Sequence, residues 1–521
     1  MRIRHLIILV ALVLAPISAA SPAHAGGVVT VCDEAHLLAA LAGGGTVTFA
    51  CSGVITLSST ITIAADTTID GTGHVVIISG NNAVRVFTVN AGATLNLSGL
   101  TIANGRSDAG GGVSNSGTLT VSNSIFFGNS ASGNGGGIFI PTCSVDCGDI
   151  SVIVNNSTFS GNTASGNGGG IFISPYCYEN CGQMTLTVSN STFSGNSSSG
   201  AGGGIFHDGH YMSHYVTVIV SSSTFSNNAA GAIFSGNHTT LNVSNSTFSG
   251  NHGPGIATAI YSYATLRVSN SIFTGNSGHG IRNSKWNSLA VSNSAFSGNG
   301  GCGIDNYDAS LTVSDSTFSG NAGCGVANGD DGGTTTVTNC TFSNNGGDGG
   351  DFGNSFLSTA TVSNSTFAGT SAGHGGISNG VEARLTVINS TLHGVPVINS
   401  EYDGTLTLKN TIVAHSLTGS NCTGAITDGG GNLSYPDTTC PGVNANPMLG
   451  PLQDNGGPTW TMALGPGSAA LDAGDDAVCA ADPVNSLDQR GVIRPQGAHC
   501  DSGALEQLRT WLPVLVVTSS P

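Results

Sequence analysis

The sequence predicts an all-β protein whose main body is a right-handed, single-stranded parallel β-helix, a solenoid with about 22–25 residues per coil. Two observations lead to this prediction. A nine-residue motif of the form VSNSTFSGN recurs between residues 121 and 370 at a nearly constant spacing, and apolar residues alternate with polar ones inside each repeat. A fixed period of this size indicates units that bury their apolar sides by stacking on their neighbours. The right hand follows from the usual handedness of parallel crossovers.

The phenylalanine of the motif measures the length of each coil. From Phe225 onward its copies lie 22 to 25 residues apart, whereas the first three steps are 32 to 34 residues long, so we expect those coils to carry longer loops. Leu or Val seven residues before the phenylalanine, with Val five before it, follows the period of two that is typical of strands. We expect about three short strands per coil and a single file of rings, formed by Phe126, Phe159, Phe193, Phe225, Phe248, Phe273, Phe296, Phe318, Phe342 and Phe367.

Asparagine recurs three residues after and three residues before these phenylalanines. Equivalent residues of a parallel coil stack roughly 4.8 Å apart, so identical amides can hydrogen-bond along a ladder. Asparagine also tolerates the left-handed backbone conformation that a corner needs. The motif therefore builds the rod and is not a row of active sites. The asparagines are Asn129, Asn162, Asn196, Asn228, Asn251, Asn276, Asn299, Asn321 and Asn345 after the ring, and Asn123, Asn156, Asn190, Asn245, Asn270, Asn293, Asn339 and Asn364 before it.

The chain contains thirteen cysteines. Cys302 and Cys324 occupy the same position in consecutive repeats, and Cα atoms stacked at the coil spacing fall within disulfide range, so we predict that bond. Nearest-neighbour pairing predicts three more bonds, Cys32–Cys51, Cys422–Cys440 and Cys479–Cys500. Four cysteines of the long loops pair within a loop or between coils, and both arrangements stay open: Cys143, Cys147, Cys177 and Cys181. Cys340 is left as the odd thiol.

Residues 1–25 have the composition of a secretory signal peptide. Arg2 and Arg4 precede an apolar stretch from Leu6 to Ile17, and a small-x-small site ends at Ala25, where we expect cleavage. The protein is therefore expected to be secreted or displayed at the cell surface, where disulfides persist. No other segment is long and apolar enough to predict a transmembrane span. The net charge of −17 disfavours nucleic acid as a partner.

Two segments of the chain resemble known protein families. The N-terminal part resembles the opening of bacterial exported β-helix proteins of the pectate-lyase-like fold, in the stretches VCDEAHLLAALAGGGTVTFACSGVITLSSTITI, TIDGTG and GATLNLSGLTIANG. In those proteins a short amphipathic helix caps the first coil, which here implies a helix from Glu34 to Leu41. Residues 446–506 resemble the choice-of-anchor Q domain, found on secreted or surface β-helix proteins, in NPMLGPLQDNGGPTWTMALGPGSAALDAGD and DQRGVIRPQGAHCDSGALE. Neither resemblance implies a catalytic residue.

These observations divide the chain into five parts. They are a signal peptide (1–25), an N-terminal cap (26–54), the parallel β-helix (55–420), a small, loop-rich choice-of-anchor Q-like region (421–506) and a tail (507–521). The tail contains no LPxTG-type sorting motif, so secretion and another mode of anchoring both stay open.

The sequence contains isolated signals for a carbohydrate-active enzyme. GHGI occurs at 278–281, GHGG at 373–376 and a pair of aspartates at 330–331. No Asn-Thr-Asp or Arg-Ile-Lys accompanies them, and the few cations of the coils are not grouped beside calcium-binding carboxylates as a lyase requires. The sequence therefore favours a non-enzymatic rod without a cofactor. A polysaccharide lyase or glycoside hydrolase of the pectate-lyase-like fold is the alternative, because fold alone does not decide activity.

One column of aromatic residues is unexpected on a surface otherwise poor in rings. Ten residues before the phenylalanine, successive coils carry Tyr215, His238, Tyr263, Trp286 and Asp308. Stacked at the coil spacing, these side chains form a candidate platform for sugar rings. The alternative is that they shield a corner of the apolar interior. The platform makes polysaccharides or cell-surface glycans the expected partners, and the rod a candidate for adhesion or glycan binding.

The third long coil carries a candidate metal site. His207, Asp208, His210 and His214 are residue types that ligate zinc. A solvated, histidine-rich loop is the alternative. The long loops of the three coils occur at the same phase of the repeat, so we expect them to project on one side of the rod, where binding residues are often found.

Overall fold

A computed structural model describes residues 26–142, 148–174, 182–209, 215–329, 332–347, 350–370, 375–399, 402–417 and 419–508. It confirms the predicted fold class: the chain is a right-handed parallel β-helix of about 16 coils. Two short helices, Glu34–Leu41 and Asp476–Ala480, occur in this part of the chain. The first is the predicted cap helix, and its N-terminus is closed by Asp33, whose side chain accepts the His36 backbone N–H at 2.9 Å.

Each coil contributes a strand to as many as three parallel sheets, which we name by their residues. The long face has strands of up to six residues, in which Leu and Val point inward and Thr or Ser outward. Its strands are Val28–Val29, Gly45–Phe49, Thr67–Asp70, Thr94–Ser98, Thr118–Ser122, Ile150–Asn155, Met184–Ser189, Val216–Ser221, Thr239–Ser244, Thr265–Ser269, Ser288–Ser292, Ser310–Ser314, Thr334–Thr338, Thr359–Ser363, Arg384–Ile388, Thr405–Lys409 and Ile426–Asp428.

The phenylalanine face follows the long face after a tight corner and carries the file of rings. Its strands are Gly53–Thr56, Val76–Ser79, Leu100–Ala103, Ile125–Phe127, Thr158–Ser160, Thr192–Ser194, Thr224–Ser226, Thr247–Ser249, Ile272–Thr274, Ala295–Ser297, Thr317–Ser319, Thr341–Ser343, Thr366–Ala368, Thr391–His393, Ile412–Ala414, Leu433–Tyr435 and Val443–Asn444. The isoleucine face closes the coil with Ile61–Ile63, Phe87–Val89, Val113–Asn115, Ile138–Ile140, Ile171–Ile173, Ile205–His207, Ile233–Ser235, Ile256–Thr258, Ile281–Asn283, Ile304–Tyr307, Val326–Gly329, Phe352–Asn354, Ile377–Asn379, Val397–Asn399 and Cys422–Thr423.

Two smaller sheets complete the secondary structure. The three long coils and the coil before them add a fourth strand in their glycine-rich corner, which gives the parallel set Arg106–Ser107, Ser130–Ala131, Thr163–Ala164 and Ser197–Ser198. An antiparallel pair, Leu449–Gln453 with Thr461–Leu464, lies beyond the last coil. The stacked coils themselves continue to Asn444, past the boundary at 420 expected from the sequence.

The core is the predicted single file of phenylalanine rings. From Phe126 to Phe367, consecutive ring centroids lie 4.6 to 5.1 Å apart and their planes differ by no more than 10°. All ten rings are fully buried. Burial of a phenylalanine side chain contributes about 1.5–3 kcal/mol, and the coil spacing places each ring in offset contact with its neighbours. Equal coil lengths therefore keep matching residues in register.

The asparagines after the rings form the predicted buried ladder. Each side chain Nδ2 from Asn129 to Asn321 donates to the Oδ1 of the next asparagine at 2.8 to 3.0 Å, and Asn345 ends the ladder on Asp351 Oδ1 at 2.7 Å. The same amides donate to a backbone carbonyl of the preceding coil, as Asn162 does to Phe126 at 2.9 Å. Corner groups without a strand partner are satisfied in this way.

The asparagines before the rings take the predicted left-handed conformation but form a less regular ladder. Their φ angles lie between 44° and 57°. Asn156 Nδ2 donates to Asn123 Oδ1 at 2.6 Å, and Asn339 Nδ2 donates to Asp315 Oδ1 at 3.1 Å. Most of these side chains face water, so nothing forces their amides to pair with each other. Their role is set mainly by backbone conformation.

The region after the coils folds back along the outer side of the phenylalanine face. Gln489 Nε2 donates to Thr341 Oγ1 at 3.0 Å, and Thr366 Oγ1 donates to Gln489 Oε1 at 2.6 Å. Gly503 N donates to the carbonyl of Asn410 at 2.7 Å. Outward threonines that are solvent-accessible in earlier coils are buried here. The region is therefore packed against the side of the last coils.

Four of the predicted disulfides are confirmed. They are Cys32–Cys51, Cys302–Cys324, Cys422–Cys440 and Cys479–Cys500. Cys302 and Cys324 belong to consecutive coils, with Cα atoms 4.2 Å apart. Cys340 is a buried free thiol, and burial raises its pKa to about 12. Cys143, Cys147, Cys177, Cys181, the signal peptide and most of the tail lie outside the described residues.

Candidate functional site

The aromatic column lies at the corner between the isoleucine face and the long face. We use this name for Tyr215, His238, Tyr263, Trp286 and Asp308, which the structure brings into one row across five coils. Ring centroids are 5.6 Å apart for the first pair, 6.0 Å for the second and 5.3 Å for the third. The rings meet edge-on, stacked and tilted in turn. The column is continuous, because each ring contacts the next one.

The three large rings of the column face solvent. Tyr215 is 75% exposed, Tyr263 is 57% exposed and Trp286 is 51% exposed. Tyr261 adds a further ring beside Trp286, at 4.6 Å between centroids and with an interplanar angle of 63°. Rings that shield a corner of the apolar interior would be buried against it, whereas these rings are exposed. The geometry therefore favours a presented surface over a hydrophobic seal.

The backbone at this corner is unfavourable for the residues that occupy it. Tyr261, Tyr263 and Trp286 have φ angles of 56°, 49° and 67°. The left-handed region costs a residue with a bulky side chain roughly 1–2 kcal/mol. Glycine and asparagine take equivalent angles at other corners of the rod without that cost. Residues in strained backbone positions are typical of sites where the side chain has a role beyond folding.

A buried hydrogen-bond network holds the corner under the rings. Asn287, directly after Trp286, accepts from Ser262 Oγ at 2.6 Å through its Oδ1. The same oxygen accepts the Ala264 backbone N–H at 2.9 Å. The Asn287 amide donates to Thr258 Oγ1 at 2.9 Å. Polar groups that are buried and fully paired rigidify their surroundings, so the rings project from a fixed base.

Three polar side chains meet beside the column on the outer side of the isoleucine face. We name His279, Arg282 and Asp305 the polar cluster. Arg282 and Asp305 are neighbours in register on adjacent strands, and Arg282 Nε lies 3.7 Å from Asp305 Oδ2. His279 Nε2 lies 3.6 Å from the same carboxylate oxygen. Burial lowers the pKa of His279, an effect that the Asp305 charge opposes. His279 belongs to the GHGI motif, but the sequence did not indicate its two partners.

The position of His279 disfavours a role as a general base. Cys302 donates its backbone N–H to His279 Nδ1 at 3.0 Å. The proton of the neutral ring is therefore on Nε2, which faces Asp305. A base needs a free lone pair directed at its substrate. The other enzyme signals, His374 of GHGG and the aspartates 330–331, lie outside the described residues.

A second ion pair lies at the C-terminal end of the column. Lys285 Nζ contacts Asp308 Oδ2 at 2.5 Å, and the same ammonium group lies 5.7 Å from the centroid of the Tyr261 ring. The ammonium group thus joins Asp308, the last member of the column, to the neighbouring ring of Tyr261 through charge and cation–π attraction. Arg282 and Lys285, which precede Trp286 in its coil, therefore each have an aspartate partner.

The candidate zinc ligands are only partly placed. His207 points into the coil, where it stacks in register on Ile173 and where its Nδ1 lies 2.6 Å from Thr239 Oγ1. Burial lowers the pKa of His207 to about 3. His210 and His214 lie outside the described residues, so the set with Asp208 stays a prediction. Across the described residues, no group of three or more His, Cys, Asp or Glu side chains is arranged to hold a metal ion.

A second stack of rings, which the sequence analysis missed, lies on the outer side of the isoleucine face. Phe139, Phe172, Phe206 and Phe234 follow one another at 4.8 to 5.5 Å between centroids. A signal was present in the repeated Ile-Phe pair after each glycine run. Phe172 and Phe206 are buried, and a Cβ at Gly202 would lie 2.9 Å from the Phe206 Cβ. The glycine corners thus pack against these rings, which are structural in the three long coils and in the coil after them.

Comparison with known proteins gives a family match for part of the chain. A model of the right handed beta helix region matches residues 203–311, which agrees with the coils described above. No curated protein matches the chain. Among solved structures, the chain is similar to pectate lyase Pel9A at 15% identity and a TM-score of 0.39, over 62% of this chain and 88% of that one.

Two further solved structures show a similar, low level of likeness. The A-module of the Azotobacter vinelandii mannuronan C-5 epimerase AlgE6 is 13% identical with a TM-score of 0.36, over 78% of this chain and 95% of that one. A tailspike protein of E. coli bacteriophage HK620, in complex with a pentasaccharide, is 12% identical with a TM-score of 0.28, over 76% of this chain and 74% of that one.

Proposed function

We propose that this protein is a secreted or cell-surface rod that binds carbohydrate chains along the aromatic column, and that it serves in adhesion or glycan binding rather than catalysis. The observation that carries the proposal is the row of exposed rings, two of which, Tyr263 and Trp286, are held in strained backbone positions, with Trp286 at φ 67° and half exposed. A residue that lowers stability and faces water contributes mainly through what it contacts.

The chemistry of the column suits sugar rings. Tyrosine and tryptophan present a flat apolar face and a polar edge, and they lose little conformational entropy on binding because they have two side-chain torsions. From Tyr215 to Trp286 the column spans three coil steps, roughly 14 Å at the spacing of parallel strands. An extended chain of sugar rings laid across the coils meets one aromatic side chain at each step.

Several features support export to the cell exterior. Four disulfides are formed among the described residues, and structural disulfides persist in oxidising compartments. The composition of residues 1–25 and the choice-of-anchor Q resemblance of residues 446–506 favour the same location.

In the part of the chain that the structure covers, no helix reaches the length and apolarity of a membrane span.

The second candidate function is a polysaccharide lyase or glycoside hydrolase. The observation that favours it is the polar cluster, which combines an imidazole, a guanidinium and a carboxylate on one surface. The fixed His279 tautomer and the pairing of Asp305 with two partners leave the cluster without an obvious free base. We therefore rank binding above catalysis.

The test is binding of the mature chain, residues 26–521, to a panel of immobilised polysaccharides. We expect retention on at least one of them, and at least a tenfold loss of affinity in the double variant Tyr263→Ala, Trp286→Ala, in line with about 1–3 kcal/mol for each aromatic contact. Phe127→Ala is the matched control, because Phe127 is 52% exposed but lies on the phenylalanine face. Unchanged retention in the double variant contradicts the proposal. New reducing or unsaturated ends in the same incubations establish the enzyme instead.

A further inference from the structure

The polar cluster lies on the isoleucine face, in the coils that carry the C-terminal end of the aromatic column. Arg282 lies four residues before Trp286 in the same coil, and Asp305 lies three residues before Asp308 in the next one. The Arg282 side chain is 52% exposed, and that of Asp305 is one quarter exposed. The cluster thus offers donors and an acceptor to solvent on the isoleucine face, just before the corner that carries Trp286.

The cluster is held in place by its surroundings. The Cys302–Cys324 disulfide joins the coil that carries Asp305 to the following coil at the glycine-rich corner, and the Cys302 backbone N–H fixes the ring of His279. A Cβ at Gly301 would lie 2.7 Å from His279 Nδ1, so glycine leaves the space that the imidazole occupies. Side chains held by such contacts lose little freedom when a ligand binds, which is the basis of pre-organised recognition.

The charges around Trp286 are balanced. Arg282 faces Asp305, and Lys285 faces Asp308. The whole chain carries a net charge of −17. A polyanionic sugar chain has to displace an aspartate to reach either cation, and it approaches against the overall negative field. A neutral hydroxyl meets no such obstacle, because it donates to a carboxylate and accepts from a guanidinium at the same time.

We infer that the polar cluster is a subsite for the hydroxyl groups of a neutral sugar whose neighbouring ring stacks on Trp286. The ligand class of the rod is accordingly neutral polysaccharide rather than polyuronate. One hydroxyl donates to Asp305, an adjacent hydroxyl accepts from Arg282, and His279 orients the Asp305 carboxylate. This inference rests on the proposed function and names the substrate class of the same surface.

The test compares two groups of polysaccharides at two salt concentrations. The neutral group contains β-glucan, xylan, galactan and mannan, and the anionic group contains polygalacturonate and alginate. We expect retention by a neutral member, with less than a twofold change in affinity between 50 and 500 mM NaCl, because uncharged ligands are not screened by salt. Preference for an anionic member, with affinity that falls steeply as salt rises, overturns the inference while leaving glycan binding in place.

Variants of the cluster test the subsite itself. Arg282→Ala and Asp305→Asn are each expected to lower affinity for the neutral polysaccharide about tenfold, as loss of a hydrogen bond to a charged group does. Arg384→Ala is the matched control, because Arg384 is an exposed arginine on the long face of another coil. Thermal unfolding of each variant reports whether it folds. Normal affinity in both folded cluster variants, together with loss of binding in the Tyr263 and Trp286 variant, refutes the subsite alone. Absence of binding to every polysaccharide refutes the proposed function and the subsite together.

Discussion

Two corners of the coils that carry Tyr263 and Trp286 use the same left-handed backbone conformation but fill it with different residues. Between the long face and the phenylalanine face, Asn270 and Asn293 take φ angles of 49° and 47°. Between the isoleucine face and the long face, Tyr263 and Trp286 take angles of 49° and 67°. Asparagine suits this conformation, and a bulky aromatic residue does not. We conclude that the asparagine corner serves folding and that the aromatic corner presents side chains in spite of its backbone.

The largest expected effect concerns a third corner, between the phenylalanine face and the isoleucine face, where the asparagine side chain is buried. Asn251 accepts from the Asn228 amide at 3.0 Å and donates to Asn276 at 2.8 Å. Asn251→Ala leaves several buried groups unpaired, each worth about 1–3 kcal/mol, so we expect the free energy of unfolding to fall by about 3 kcal/mol or more. Denaturation in urea measures it. The control Asn270→Ala, at the exposed asparagine corner, is expected to cost about 1 kcal/mol. Equal costs contradict a ladder role for Asn251.

The next effect concerns the buried side of the isoleucine face, just before the aromatic corner. His207 stands where earlier coils have Ile140 and Ile173, and burial lowers its pKa to about 3. The unfolded chain binds a proton near pH 6.5 and the folded one does not, so stability is complete above pH 6.5 and is lost as pH falls towards 3. The slope is about 1.4 kcal/mol per pH unit. His207→Ile removes that contribution, which urea denaturation at pH 7.0 and 5.5 detects. An identical pH dependence in the variant contradicts the burial of a neutral imidazole.

The smallest effect is a direct exchange between the two corners. Trp286→Asn relieves the left-handed strain and is expected to raise the free energy of unfolding by about 1 kcal/mol, while the affinity for polysaccharide falls. Asn270→Trp is expected to lower stability by about 1 kcal/mol and to leave binding unchanged. Thermal unfolding and the retention assay measure both. A Trp286→Asn variant that is less stable than the parent shows that the ring contributes to folding and breaks the contrast between the corners.

Regular features of the rod were accessible from the sequence because they recur at a fixed period. Equal coil lengths stack equivalent letters, so the file from Phe126 to Phe367, the buried ladder that begins at Asn129 and the Cys302–Cys324 bond could all be predicted. The row that contains Tyr263 and Trp286 followed from the same rule. In each case the position of a residue within the repeat determines where it lies in the stacked coils.

Features that depend on direction within a coil were less accessible. His207 has the residue type of a loop ligand, but the alternation of the strand points it inward. The polar cluster joins His279, Arg282 and Asp305 from two coils, and none of them repeats in other coils at its position. These side chains come together because they point outward and because the glycine-rich corner follows a particular path. Neither property can be predicted from a periodic pattern.

The amino-acid sequence by itself determined the coil, its handedness, its stacked interior and the row of rings, because a repeated period leaves only one register that buries every apolar position. Only the tertiary structure decided which side chains lie beside those rings and which faces of the rod are covered. The folding of residues 446–508 along the phenylalanine face closes that side of the last coils, through contacts such as Gln489 with Thr341 and Thr366. These contacts join residues more than 120 positions apart, and packing between such distant segments depends on complementary shape and hydrogen bonding rather than on period.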